Sequence, residues 1–255
     1  MFGSKSGYDS LEECFGDLAS HITAIETGLS SDPAMNWRVS ALDRVFLVSN
    51  SDAHSCQNLG REANVFEMNQ SSYHELRRIL VEHDTSKFCE TIEFFPEEGK
   101  YHADGHASCH FWCEPEETKR LKGLCPTCGK PLTIGVLHRI ANLADRPSHA
   151  PRPSSAVPYR SIVPLAELVA DVLKVGKTSQ RVKKAVKEIL VDGRTEFGVL
   201  LDLSESELVR ATTSDIVESI LNMRQGKVDI RPGYDGVYGV VKAKGTIRAQ
   251  QTLRV

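Results

Sequence analysis

The chain has 255 residues, 40% of them hydrophobic and 25% charged, with a formal net charge of −3; these are the proportions of a globular protein of one or two domains, and they do not announce a nucleic-acid binder. No apolar run approaches the roughly 20 residues that span a bilayer, and the opening MFGSKSGYDS lacks the apolar core of a signal peptide, so an intracellular, cytoplasmic chain with no membrane partner is expected. Seven cysteines, an odd number, argue against a fully paired disulfide framework and for metal binding.

Up to about Met68 the pattern alternates. Ser10, Leu11, Glu12 and Glu13 open a short helix in capping-box style. Residues 22–25 read as a strand, 37–43 as a helix, and Val45-Phe46-Leu47-Val48 as a buried strand. This is the rhythm of an α/β domain with a parallel sheet, in which sites gather at the C-terminal ends of strands. Two polar clusters follow strands in that way. In the first, loop 28–32 carries Ser30 and Ser31. It suits a cap for the helix behind Asp32-Pro33. Glu26, just before it, could approach a metal, cap the loop or orient Arg38. In the second, Asp52 and His54 are two residues apart, so on an extended chain they point the same way. A carboxylate and an imidazole converging at a strand end make half of a metal site; the plainer reading is a polar loop after a buried strand. Asn50 and Ser51 lie beside the pair.

Residues 71–83 read as a helix with Tyr73, Leu76, Ile79 and Leu80 on one face, and 91–96 as a strand. A Cys/His-rich block follows at 100–146, then a Pro/Ser-rich linker or loop. Helices are expected at 164–173, 179–191 and 213–225, with a capping box at Ser204 and Glu207. Residues 227–242 read as a hairpin turning at Gly-Tyr-Asp-Gly, where Tyr234 could stack on a base or simply close the turn. From Arg160 onward there are 16 Lys and Arg against 12 Asp and Glu; the remainder carries 15 against 22. That basic back half is weak evidence for a polyanionic partner. Arg181, Lys183, Lys184 and Lys187 suit phosphate contacts or a solvated helix face equally well. The expected division is an α/β domain at 1–85, a zinc-binding ribbon at 86–146, a linker at 147–160 and a helical domain at 161–255.

The cysteine block holds the strongest motif readable from spacing. Cys125-Pro-Thr-Cys128-Gly is a zinc knuckle in form, a tight turn whose backbone N–H groups face the thiolates. A second corner at Cys109 completes a structural Zn²⁺ site, and a domain this small draws much of its folding energy from the metal. The fourth ligand is open: Cys113 makes a four-cysteine site, His106 a Cys3His site. His138 and Arg139, after Thr133-Ile-Gly-Val-Leu137, read as the start of a helix packed on the ribbon.

The strings AIETGLSSDPAMNW, LVSNSDAHS, LGREAN, TIEFFPEEGKYHADGH, CPTCGKPLTIGVLHRIANLADRP and GKVDIRPGYDGVYG run through almost the whole chain. Together they resemble endonuclease Q, an archaeal and bacterial DNA-repair nuclease family of the PHP (polymerase and histidinol phosphatase) superfamily. The resemblance implies an α/β fold in which the first domain is the C-terminal part of a PHP-type distorted β/α barrel, followed by a zinc-ribbon domain and a small, mainly helical C-terminal domain. It makes Asp52 and His54 catalytic ligands of divalent metal (Zn²⁺, Mg²⁺ or Mn²⁺), because Ser-Asp-Ala-His is similar to the final PHP motif. The implied partner is DNA, nicked on the 5′ side of a deaminated base (uracil, hypoxanthine) or an abasic site, with Ser30, Ser31, Asn50, Ser51, His138 and Arg139 as candidate substrate contacts.

PHP enzymes carry a His-x-His near their first strand, and none precedes residue 7 here. The resemblance is therefore to the later portion of the family protein, and a missing N-terminal half or a second chain is expected to complete the site. Two rival readings remain. One is a catalytically inactive, zinc-containing DNA-binding fragment. The other is a small-molecule phosphoesterase, which the ribbon and the basic tail weaken.

Overall fold

The computed structural model describes residues 1–3, 7–149 and 151–243. Residues 4–6 of the opening stretch, Ala150 of the expected linker and residues 244–255 of the expected helical domain lie outside the described residues. The chain divides into two compact units, Met1–Arg160 with Arg231–Val240, and Ser161–Ile230 with Val241–Val255. The boundaries expected at 85/86 and 146/147 fall inside the first unit.

The first unit is mixed α/β. Helix α1 (Leu11–Phe15) starts where the Ser10 hydroxyl accepts from the Glu13 amide at 3.0 Å. Strand β1 (Ala24–Glu26) follows. Helix α2 (Pro33–Asn36) is capped by Asp32, whose carboxylate accepts from the Met35 amide at 2.8 Å, with Pro33 at the first helical position. The helix expected at 37–43 is not formed. Capping by Asp32 starts the helix earlier, Val39 is extended, and a 3-10 turn at Ser40–Arg44 takes the chain into the next strand. Strand β2 (Phe46–Val48) pairs in parallel with β1, in the register Ala24↔Phe46, Ile25↔Leu47, Glu26↔Val48.

Strand β3 (Ala63–Phe66), helix α3 (Tyr73–Glu82) and strand β4 (Phe88–Phe94) come next. Strands β3 and β4 are antiparallel, with Ala63 opposite Ile92 and Asn64 opposite Thr91. Helix α3 lies close to its expected place, with the Ser72 hydroxyl accepting from the Glu75 amide. Phe46, Ile79, Phe88 and Val157 form one buried cluster, and Phe88 packs edge-on to Phe46 and flat against Phe66. Each such side chain contributes about 1.5–3 kcal/mol by leaving water. The ribbon comprises β5 (Asp104–His106), the antiparallel β6 (Phe111–Cys113), and helices α4 (Pro115–Arg120) and α5 (Val136–Leu143). Strand β7 (Tyr159–Ile162) follows, with its first two residues in this unit, and Thr91 of β4 donates to the Pro158 carbonyl just before it.

The second unit is mainly helical, with α6 (Leu165–Leu173), α7 (Gln180–Ile189), α8 (Glu205–Ala211) and α9 (Ser214–Arg224). The three helices read from periodicity and the Ser204–Glu207 capping box are all present. Arg224 donates to the carbonyls of Val199, Leu200 and Leu203 at 2.7–2.9 Å, satisfying groups that the π-helical turn Gly198–Asp202 leaves unpaired. Strands β8 (Val228–Arg231) and β9 (Val240–Ala243) form the expected hairpin. Its long tip belongs to the first unit. No helix among the described residues is long and apolar enough to cross a membrane.

Candidate functional site

Two sets of chemically capable groups stand in the first unit. The first lies on the ribbon. His106 at the end of β5, Cys109 in the turn after it, and Cys125 and Cys128 in the knuckle bring their ligand atoms within 4.8 Å of one another. It is the one group of three or more potential His, Cys, Asp or Glu ligands among the described residues. His106 Nδ1 lies 3.7 Å from Cys128 Sγ, close to the roughly 3.6 Å that a tetrahedral Zn²⁺ with its usual Zn–N and Zn–S bonds imposes. The donor set therefore fits a metal. Cys113, the alternative fourth ligand, is not in the group. It is buried, with its Sγ 3.2 Å from Thr118 Oγ1, and it packs in a small core with Cys125 and Leu132. Burial holds its thiol above the ordinary range.

The knuckle behaves as its Pro and Gly require. Gly129 takes φ 71 and donates its amide to the Cys125 carbonyl at 2.8 Å. Burial raises the Cys125 thiol, but the amides of Thr127 and Cys128 together with the Cys128 and Cys109 sulfurs bring it below its ordinary value. Cys109, crowded by the Cys128 and Cys125 sulfurs and by burial, is pushed up to about 11; a cation among these thiols would reverse that balance.

Sequence reading missed what braces this centre. Asp235, at the hairpin tip, accepts from the Ala107 amide at 2.7 Å and from Thr133 Oγ1 at 2.6 Å, so it holds the turn between His106 and Cys109. Tyr234 beside it is buried, at 7% exposure, and a Cβ on Gly105 would strike its ring; of its two readings, it closes the turn. Asp104, fully buried, accepts from the Gly135 amide at 2.7 Å and pairs with His138 Nδ1 at 2.6 Å. His138 is thereby held in the first turn of α5 with its ring 15% exposed. Arg139 points elsewhere, to the Met1 and Tyr8 carbonyls and the Asp9 carboxylate.

The second set follows β2. Asp52 and His54 do converge, with His54 Nε2 3.4 Å from Asp52 Oδ1, both highly exposed. The route differs from the one that alternation implies. Asp52 has φ 43, in the left-handed region, so the segment is a bend and not extended strand. Arg61 Nε donates to the Ser51 carbonyl at 2.9 Å, and its terminal nitrogen approaches the Asp52 carbonyl at 3.5 Å. Asn64 exchanges hydrogen bonds with the Ser49 backbone at 2.8 and 2.7 Å and reaches Asn50 Oδ1 at 3.2 Å. Asn50 is exposed and Ser51 half-buried.

The loop after β1 lies against the same support. Ser30 is exposed, whereas Ser31 is buried, donating to the Thr27 carbonyl at 2.6 Å and accepting from Asn36 at 3.0 Å. Both loops meet at Glu93 of β4. Its carboxylate accepts from Thr27 Oγ1 at 3.0 Å, Ser49 Oγ at 3.2 Å and Thr91 Oγ1 at 2.5 Å. Arg61 and Asn64 belong to the string LGREAN, which carries part of the resemblance but to which the sequence alone assigns no role. In the second unit, Arg181, Lys183, Lys184 and Lys187 are exposed on α7, opposite its buried Val182 and Ile189.

No protein-family model matches the chain. It is similar to the crystal structure of the lesion-specific endonuclease PfuEndoQ from Pyrococcus furiosus, with a TM-score of 0.84 and 31% identity over 96% of this chain and 60% of that one. It is also similar to endonuclease Q in complex with a 27-mer duplex substrate carrying an abasic lesion at the active site, with a TM-score of 0.80 and 30% identity over 97% of this chain and 62% of that one. Protein YqxK of Bacillus subtilis is 32% identical over 240 residues, which is 93% of this chain and 57% of that protein. Protein MJ0043 of Methanocaldococcus jannaschii is 29% identical over 244 residues, 93% of this chain and 30% of that protein. The chain thus spans between about a third and three-fifths of the length of these relatives. A mixed α/β unit with a Cys/His ribbon places it in the structural class of these lesion-specific endonucleases. Over 96–97% of its own length the chain shares the fold of endonuclease Q at 30–31% identity.

Proposed function

We propose that this chain forms the lesion-recognising part, and a share of the metal-binding part, of a DNA-repair endonuclease that nicks 5′ to deaminated bases or abasic sites. The observation that carries this reading is the exposed Asp52–His54 pair, 3.4 Å apart at the end of β2, on a chain with the endonuclease Q fold. The parallel β1–β2 pair supports reading this region as part of a PHP-type β/α barrel, with its site at the C-terminal strand ends. Zn²⁺ in the His106–Cys109–Cys125–Cys128 set is structural, since four protein donors leave no open position.

Asp52 and His54 would hold divalent metal (Zn²⁺, Mg²⁺ or Mn²⁺), which when bound supplies a hydroxide nucleophile near neutral pH and charge to meet the scissile phosphate. Two protein donors are fewer than such an ion needs, so water, phosphate oxygens or further protein groups complete it. This chain's residues do the holding: Arg61 fixes the Ser51 carbonyl next to Asp52, and Asn64 fixes the Ser49 backbone. Ser30 and the amides of loop 28–32 offer donors and acceptors to an extruded base. The buried Ser31 shapes that loop from behind. His138 and the α7 lysines are suited to phosphate contact.

The test is a nicking assay with Mg²⁺, Mn²⁺ or Zn²⁺ on labelled duplex DNA carrying one deoxyuridine or one abasic site. The chain is run beside Asp52→Ala. A nick 5′ to the lesion, lost in the variant, is expected if a dimer or the chain itself completes the site. Tight lesion binding without cleavage supports a second reading, a zinc-containing DNA-binding module. The presence of only two candidate ligands after β2 favours that reading for the isolated chain. Absence of any preference for lesion-bearing DNA would overturn both.

A further inference from the structure

Glu62 stands in the bend just before β3 and Glu93 near the end of β4, beside the point where the ladder stops at Ala63 opposite Ile92. They lie close enough for the Glu93 charge to act on Glu62. Both are buried, at 3% and 0% exposure. Neither oxygen of Glu62 has a hydrogen-bond partner among the described residues; the Phe94 amide tempers its charge without completing a bond. The groups around the pair are mostly acidic or neutral. They are Glu26 from β1, Asp32 at the start of α2, Glu97 beyond β4, Tyr159 from β7, and the hydroxyls of Thr27, Ser49 and Thr91. Arg61 lowers Glu62 from the next position in the chain, but its guanidinium is turned to the Ser51 and Asp52 carbonyls.

Two ionised carboxylates close together in so dry a place repel each other and lack the water that would screen them. A carboxylic acid there costs far less, and it can donate where a carboxylate cannot. We propose that Glu62 and Glu93 retain at least one proton between them at neutral pH and act as positioning residues beneath loops 27–32 and 49–55, which loosen when loss of that proton sets two buried charges against each other. The loops are the ones Glu93 reaches through Thr27 and Ser49. Their bearing on DNA rests on the functional reading given above.

Burial raises Glu93 to about 7, and burial with the nearby Glu93 charge raises Glu62 to about 8, against an ordinary 4.5. Because both lie above their unfolded values, the pair's stabilisation is full below the ordinary carboxylate range and is lost as pH climbs through neutrality.

The experiment compares the full chain with Glu62→Gln and Glu93→Gln, from about pH 5 to about pH 9. Thermal melting is one readout. The other is fluorescence polarisation with a labelled duplex carrying a tetrahydrofuran abasic-site analogue. Wild type is expected to melt lower at the alkaline end and to bind the duplex about fivefold more weakly there. Either glutamine variant should flatten the melting profile and restore the alkaline binding, because an amide keeps the shape without the charge. Glu93→Ala, with no acceptor for Thr27 or Ser49, should bind weakly at every pH. If both glutamine variants track the wild-type pH profile, the shared proton does not exist. If a glutamine variant fails to fold, ¹³C-carboxyl NMR of the wild type decides, since glutamates titrating in the ordinary range sink the proposal. A flattened melting profile with no duplex binding at any pH would support the pair and overturn the DNA reading alone.

Discussion

Arg61 donates from Nε to the Ser51 carbonyl at 2.9 Å, one residue ahead of an aspartate held at φ 43. A left-handed backbone at a non-glycine residue costs roughly 1–2 kcal/mol and persists where neighbours over-determine it. The guanidinium supplies that constraint, with Asn64 gripping the backbone of Ser49 behind it. The bend at Asp52 turns its carboxylate toward His54. The metal-binding reading of this loop thus depends on a residue that touches no metal.

Arg61→Ala is expected to lower stability by about 1–3 kcal/mol and to make loop 49–55 more open to protease. Arg61→Lys should rescue little, because a lysine point charge cannot reproduce the planar fork. Urea denaturation and limited proteolysis of both variants check this; a lysine variant indistinguishable from wild type would show that charge alone suffices.

Metal content separates the two fourth-ligand readings. His106→Ala and Cys125→Ser should each lose one equivalent of zinc, whereas Cys113→Ala should keep it and lose about 1–2 kcal/mol through its vacated packing space. Chelation of wild type should unfold the ribbon, since binding free energy at such a site is folding free energy. Elemental analysis of purified variants is decisive, and zinc loss from Cys113→Ala would reinstate the four-cysteine site.

Asp235 anchors the turn between two metal ligands from the far end of the chain. Removing its carboxylate in Asp235→Ala leaves the Ala107 amide and Thr133 hydroxyl without that acceptor. A cost of about 2–4 kcal/mol and a weakening of zinc affinity of at least about tenfold are expected. Competition with a chromogenic zinc chelator measures the second; unchanged affinity would limit Asp235 to a packing role.

His102 sets an acid limit. It is 4% exposed, Nδ1 has no partner among the described residues, and burial lowers it to about 4. Its unfolded value is near 6.5, so the unfolded chain binds the proton first, and stability falls as pH drops from about 6.5 to about 4, by up to about 3 kcal/mol. His102→Gln should flatten that limb of the melting profile. A limb of unchanged depth would assign the acid loss to other groups.

Much of the secondary structure was legible because its signals are local. Ser72, Ser179 and Ser204 cap helices through their own hydroxyls, and the apolar spacing of α6, α7 and α9 announces their buried faces. The knuckle Cys125-Pro-Thr-Cys128-Gly was equally plain, because its function is carried by consecutive residues. The helix expected at 37–43 failed for a local reason too: the Asp32-Pro33 cap outranked the apolar spacing behind it. The choice of His106 over Cys113 was not legible, since both lie within a few residues of Cys109 and only the β5–β6 pairing sets which one turns inward.

By itself the sequence determined the α/β and helical segments, the cysteine corner, the Asp52–His54 motif and the resemblance to endonuclease Q, all of which rest on short-range patterns. Only the tertiary structure decided that Arg61 and Asn64 brace that motif, that Asp235 reaches back 128 residues to Ala107, and that Glu62 and Glu93 are buried near each other. Those relationships depend on strand register and burial, and a carboxylate's charge state follows from the dielectric around it, which no stretch of neighbouring residues specifies.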